Sequence, residues 1–174
     1  MAHTVCLQSA MASLNIDSYN RVAIHSADLD NGSLVALTSQ GLDPDGVANA
    51  LYNEVWTAIA PDADHLADLW LVRSPEVSVD SHGYVNGNMQ DFYNPADKTF
   101  DAKLLSKGDV IVISAEGMAG TKGTNTYAVA VAGSTKWNWA AAPIAAGFSA
   151  KLIGDYTIPG NPSIPAFKFE VVQI

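Results

Sequence analysis

Four histidines, one cysteine and 18 acidic side chains are the groups with which this chain could do chemistry. Their spacing argues against most of it. His3, His25, His65 and His82 stand far apart. None is paired with another His or Cys at the short helical or loop spacings that bring metal ligands together. Cys6 is alone, so it forms no internal disulfide, and no Cys–His pattern supports a catalytic thiol. Asp80-Ser81-His82 sets the residue types of a hydrolytic triad side by side. A working triad converges from separate segments so that its side chains face one another. The Gly-x-Ser-x-Gly turn that exposes a serine nucleophile does not occur. The enzymatic alternative is a small hydrolase built on loop 80–99, using His82 with Asp80 or Asp91. It would need paired carboxylates in a concave pocket.

Two further stretches look like ligand loops and fail on detail. Asp28-Leu29-Asp30-Asn31-Gly32 opens like a calcium loop, but its glycine falls one place early and Ser39 stands where a closing Glu belongs. A hairpin turn leading into Ser33-Leu34-Val35-Ala36-Leu37 is the better reading, because Asn-Gly accepts positive φ cheaply. Gly117 to Thr124 evokes a phosphate loop, yet Lys122 precedes Gly123 and the required order is broken. The expectation is therefore no catalytic residue, no metal, no organic cofactor and no enzymatic activity. Contact with other macromolecules remains, and two features suit it. Trp137-Asn138-Trp139 would put both indoles on one face of a strand, as core, as a protein interface or as a sugar-stacking platform. Residues 1–16 carry no acidic side chain, and Val5, Leu7, Met11, Leu14 and Ile16 make the segment apolar enough to dock, or to form an edge strand. The candidate partner-binding residues are Val5, Leu7, Met11, Leu14, Trp137 and Trp139.

The elements that must position these residues are mostly strands. Apolar or alternating runs occur at Arg21–His25, Glu54–Ile59, Leu69–Val72, Asp109–Ser114, Tyr127–Ala132, Phe148–Leu152 and Phe167–Val171. Asp45–Leu51 and Pro61–Leu69 are the best helical candidates, the second because Pro and acidic residues suit a first turn. The predicted fold is mainly β: small barrel- or sandwich-like sheets with two or three short helices. The 174 residues, 48% hydrophobic, suffice for a single domain, with a soft boundary between lobes at 92–107. A formal charge of −9 with scattered lysines disfavours direct nucleic-acid contact and anionic membranes. No secretory leader or membrane-spanning run is expected.

One set of elements goes further. It comprises Asp30-Asn31-Gly32-Ser33-Leu34-Val35, Glu54-Val55, Ala58-Ile59-Ala60-Pro61 and Leu69–Val72. It continues with Ser74-Pro75-Glu76-Val77, Asp80, Asp91-Phe92-Tyr93-Asn94, Lys98 and Leu104–Val110. In order and spacing this set, over about residues 20–115, resembles the decoration (head-cement) proteins of tailed bacteriophages, auxiliary virion proteins that sit on the major capsid shell. The resemblance implies a structural protein made in the host bacterial cytoplasm and located on the capsid surface. The major capsid protein would be its partner, and self-association as a trimer or dimer would add avidity. Residues 115–147 depart from the pattern. Decoration proteins have several unrelated folds, so the resemblance does not fix the architecture. A tail or head–tail component is a related alternative. A carbohydrate- or host-surface-binding β domain using Trp137 and Trp139 is the alternative from another class.

Overall fold

A computed structural model describes residues 2–76, 78–79, 85–86, 89–159 and 164–174. Along the chain, β1 (Cys6–Ala10) is followed by β2 (Asn20–Ile24), β3 (Leu34–Gln40), β4 (Val55–Ile59) and β5 (Leu69–Val72). A two-stranded ribbon of β6 (Ser78–Val79) and β7 (Val85–Asn86) precedes β8 (Thr99–Leu104). The rest are β9 (Val110–Ser114), β10 (Met118–Ala119), β11 (Tyr127–Val129), β12 (Trp137–Ala140), β13 (Ser149–Thr157) and β14 (Pro165–Gln173). The protein is mainly β, 43% strand and 10% helical. Helical structure among the described residues is confined to three-residue 3₁₀ turns such as Ala12–Leu14 and Ala50–Tyr52.

Two sheets do the work. β2, β4, β3, β5 and β8 close into a small barrel, and the second sheet runs β1-β9-β14-β13-β11-β12-β10. Side chains of a strand alternate between faces, and here the alternation sends neighbours into different cores. Leu34 and Ala36 of β3, with Leu69 and Leu71 of β5, pack outward against the larger sheet. Val35 and Val72 point into the barrel with Phe100 and Ala102 of β8. Ile111 and Ile113 of β9 face the barrel side, whereas Val112 between them joins Val5, Ile158, Ile164 and Ala166 in a third cluster. Burial on both faces explains why Leu69–Val72 and Val110–Ile113 read as unbroken apolar runs.

The structure departs from the sequence reading in four places. The turn at Asp30–Gly32 does not close a hairpin, because β2 pairs with β4 and β8 while β3 pairs with β4 and β5. The helix expected at Pro61–Leu69 is a turn. Asp62 Oδ1 accepts the N–H groups of Asp64 and His65 at 3.0 Å, and Leu66 then gives its carbonyl to Phe148 N at 2.7 Å. Cross-chain pairing thus takes the carbonyls that a helix would use. Between Asp45 and Leu51 there is no helix either, only a side-chain-braced loop leading to the 3₁₀ turn at Ala50–Tyr52. β8 carries no apolar run; its only sequence signal is Phe100 and Ala102 inward with Asp101 and Lys103 between and after them. It lies within 92–107 and is the strand that closes the barrel.

Asp109 ties the barrel exit to the N-terminal turn. Its Oδ1 accepts Ala12 N and its Oδ2 accepts Ser106 N, both at 2.8 Å. Burial pushes this carboxyl above the usual carboxylate range, against the opposing pull of those two backbone donors. A carboxylate raised in the folded state binds its proton more tightly there than when unfolded, so its contribution to stability falls as pH rises through that interval. The stability of the wild type relative to Asp109→Asn is therefore expected to decline as pH rises above the ordinary carboxylate range. Paired urea melts of the two proteins across acidic to neutral pH measure this, and a difference that grows with pH refutes it.

Candidate functional site

The loop that opens like a calcium site is densely bonded, and the carboxylate of its Asp30 is engaged internally at both oxygens. Asp30 Oδ1 lies 2.7 Å from His3 Nδ1, and Asp30 Oδ2 accepts both Thr4 N and Thr4 Oγ1 at 2.9 Å. The His3 ring stacks on Tyr93 with centroids 4.9 Å apart. Asn31 is buried; its Nδ2 donates to Ser74 O at 3.0 Å, and its Oδ1 accepts Ser74 N at 2.9 Å and Asn94 Nδ2 at 3.3 Å. Gly32, at φ +90°, donates to Val72 O at 2.7 Å and accepts Trp137 Nε1 at 2.8 Å. A Cβ there would stand 3.0 Å from Ile113 Cδ1 and 3.1 Å from Cys6 Cβ. With both Asp30 oxygens engaged, the turn is a clip between barrel and sheet.

Beside it lies a recess of about 160 Å³ lined by Thr4, Asp28, Asp30, Ser33, Thr135 and Lys136. That is below the few hundred Å³ of a typical organic-ligand pocket. Among the described residues no group of three or more His, Cys, Asp or Glu could hold a metal ion. No helix of the described residues is long and apolar enough to cross a membrane. Asp80 and His82 of the hydrolase alternative lie outside the described residues. Cys6 is fully buried, and burial pushes its thiol up to about 12.

The six candidate contact residues separate cleanly. Val5, Met11 and Trp137 are core residues, which corrects the expectation that they offer contact surface. Trp137 is 0% exposed and packs edge-on against Phe148 at 5.1 Å. Trp139 is half-buried, edge-on to Phe167 at 5.0 Å. Both indoles do share one face of β12, but that face is the core, so no sugar-stacking platform forms. Leu7 is half-buried in β1, the edge strand paired with β9. Leu14 alone is open, at 56%, beside a shallow groove that also touches Met11, Lys107 and Asp109. Sequence reasoning missed the exposed apolar side chains of the β3–β4 connection, Val47 and Leu51. The signal was present as apolar residues inside a polar loop, and the helix expected there concealed it.

The chain matches no protein-family model, no curated protein and no solved structure.

Two predictions follow from the clip and the thiol. Asn31→Asp preserves shape but cannot donate to Ser74 O and adds a buried charge near Glu76. It is expected to cost about 2–4 kcal/mol in urea unfolding at neutral pH, and a loss within error of zero would show that the clip is dispensable. Cys6 should resist a thiol reagent at mildly alkaline pH in the native protein and react fully in urea, read by mass spectrometry. Rapid native labelling would contradict its burial.

Proposed function

We propose that this chain is a structural virion protein, a decoration protein that binds the outside of a tailed-phage capsid shell and stabilises it. The observation that carries the reading is that the residues bearing the resemblance converge in space. Asn31, Ser74 and Asn94 are up to 63 positions apart, yet they meet in one hydrogen-bonded node. Leu34–Val35, Val55, Ala58–Ile59 and Leu69–Val72 lie in strands of one closed barrel, and the node joins the connections before β3, after β5 and before β8.

The physical requirements of the role are modest. A cement protein stabilises its target by binding assembled subunits in preference to free ones, which adds about 2.7 kcal/mol at a hundredfold excess over Kd. That requires a rigid body with complementary surface. The major capsid protein is the proposed partner, and a trimer or dimer of this chain would gain avidity on a symmetric shell.

The test is co-sedimentation of the purified protein with heads from the phage that encodes it, stripped of their own copy. Saturable binding is expected, together with a rise of several degrees in the temperature at which the heads lose their DNA. Heads that neither bind the protein nor gain thermal resistance overturn the proposal.

A further inference from the structure

Charge is segregated along this chain. Residues 22–72 hold eight acidic side chains and no Lys or Arg, in a protein whose formal charge is −9. All seven lysines fall in 98–168, against four acidic residues there. The acidic stretch builds β2 to β5, and its longest excursion is the connection between β3 and β4, residues 41–54.

That connection is ordered by its own bonds. Asp43 accepts the N–H groups of Asp45 at 3.1 Å and Val47 at 2.9 Å, and also Asn49 Nδ2 at 3.4 Å. Asp43 N donates to Val47 O and Asn49 N to Gly41 O, at 2.9 and 3.0 Å. Asn49 Oδ1 then caps Leu51 N at 3.1 Å, opening the turn Ala50–Tyr52. This bracing holds Leu51 at 88% exposure and Val47 at 60%. Asp45 and Glu54 are exposed beside them, and their carboxylates have no partner among the described residues. Arg21 lines the same recess as Glu54, but it is turned to Asn20 O at 3.0 Å and to the Trp70 ring at 5.8 Å. Single exposed apolar residues are ordinary. Two on one braced acidic loop, with its fold already fixed, form a preorganised contact that loses little entropy on binding.

We propose that the β3–β4 connection is the docking tip of the protein. Leu51 is its apolar anchor, and Asp45 and Glu54 are its charged rim. The partner that fits is a protein surface with an apolar recess rimmed by Lys or Arg. Charge complementarity excludes nucleic acid and selects a basic site. The inference rests on the decoration reading and assigns that site to the capsid shell protein.

The experiment compares variants in the head co-sedimentation assay. Leu51→Asp is expected to weaken binding about tenfold or more, the scale of a lost hot-spot anchor. Ile153→Asp adds the same charge at an exposed apolar position of β13 and should bind as wild type. Asp45→Asn combined with Glu54→Gln should flatten the salt dependence of affinity between about 50 and 300 mM NaCl. Leu51 is exposed, so urea midpoints should be unchanged; Leu51→Ala serves if the aspartate lowers one. Wild-type affinity in both Leu51 variants, or equal loss in Ile153→Asp, overturns the docking tip and leaves the decoration reading standing. Failure of the wild type to sediment overturns both. If sedimentation velocity without heads shows that the wild type self-associates and Leu51→Asp does not, the occupant is a second copy, and the shell assignment is overturned.

Discussion

Three consecutive residues hold the two halves of this molecule together. Asp30 clips the N-terminal arm through His3 and Thr4, Asn31 joins the loops after β5 and before β8, and Gly32 takes the Trp137 indole. The constraint is steric as well as polar. The turn must pass close to Cys6 and Ile113 at positive φ, and a Cβ at Gly32 would press on both. Asn31 must then satisfy a buried backbone N–H and C=O of Ser74 from a single side chain. An amide does this because it carries donor and acceptor on one planar group. Buried polar groups are costly when unpaired, so removing one partner releases several segments at once.

Burial on both faces of β3, β5 and β9 makes barrel and sheet interdependent. Leu34, Ala36, Leu69 and Leu71 belong to the barrel wall by backbone, yet they share a cluster with Phe148, Phe169 and Trp137 of the sheet. Neither sheet could expose that wall to water without losing much of its apolar burial, at roughly 25 cal/mol per Å². The chain order reinforces this: β1 precedes the barrel but pairs with β9, which follows it. The barrel is therefore an insertion between two strands of one ladder, with both of its ends anchored in the sheet.

Much of this fold was legible where burial follows a simple period. Leu69–Val72, Val110–Ser114 and the alternating Phe167–Lys168–Phe169 became strands because their apolar pattern matches the faces they cover. β8 was not legible, since Thr99–Leu104 has only two inward apolar residues and its pairing with β2 and β5 is non-local. The Asp30–Gly32 turn was visible as a turn, but its partners were not, because contacts with positions 74, 94 and 137 are set by topology. The i, i+2 spacing of Trp137 and Trp139 puts both indoles on one face of a strand, and they share one cluster. Which face is a property of β11 and β13 to β14 packing, and no local pattern encodes it. Asp62 shows the limit from the other side: its carboxylate caps two N–H groups as a helix start would, and its hydrogen bond to His65 holds it below the usual carboxylate range. The local signal for initiation was real, and cross-chain pairing ended it after one turn.

The same topology explains why acidic charge can accumulate in residues 22–72 without destabilising the barrel. Like charges repel with an energy that falls with separation and is screened within about 10 Å at moderate salt. The carboxylates of this stretch sit mainly in the connections, with strand interiors such as Leu34–Ala36 and Leu69–Val72 left apolar. Several are stabilised in place by backbone N–H donors, as at Asp30, Asp43 and Asp62. Asp45 and Glu54, like Asp64 and Asp68, are exposed with no side-chain partner among the described residues, and the first two sit on the loop that also carries Leu51 and Val47, at 88% and 60% exposure. A surface optimised only for solubility would separate those features, because an apolar tip gains nothing from water. Their coincidence on a braced loop is what a contact surface requires: charge to orient the encounter, apolar area to hold it, and a backbone that does not have to be ordered first.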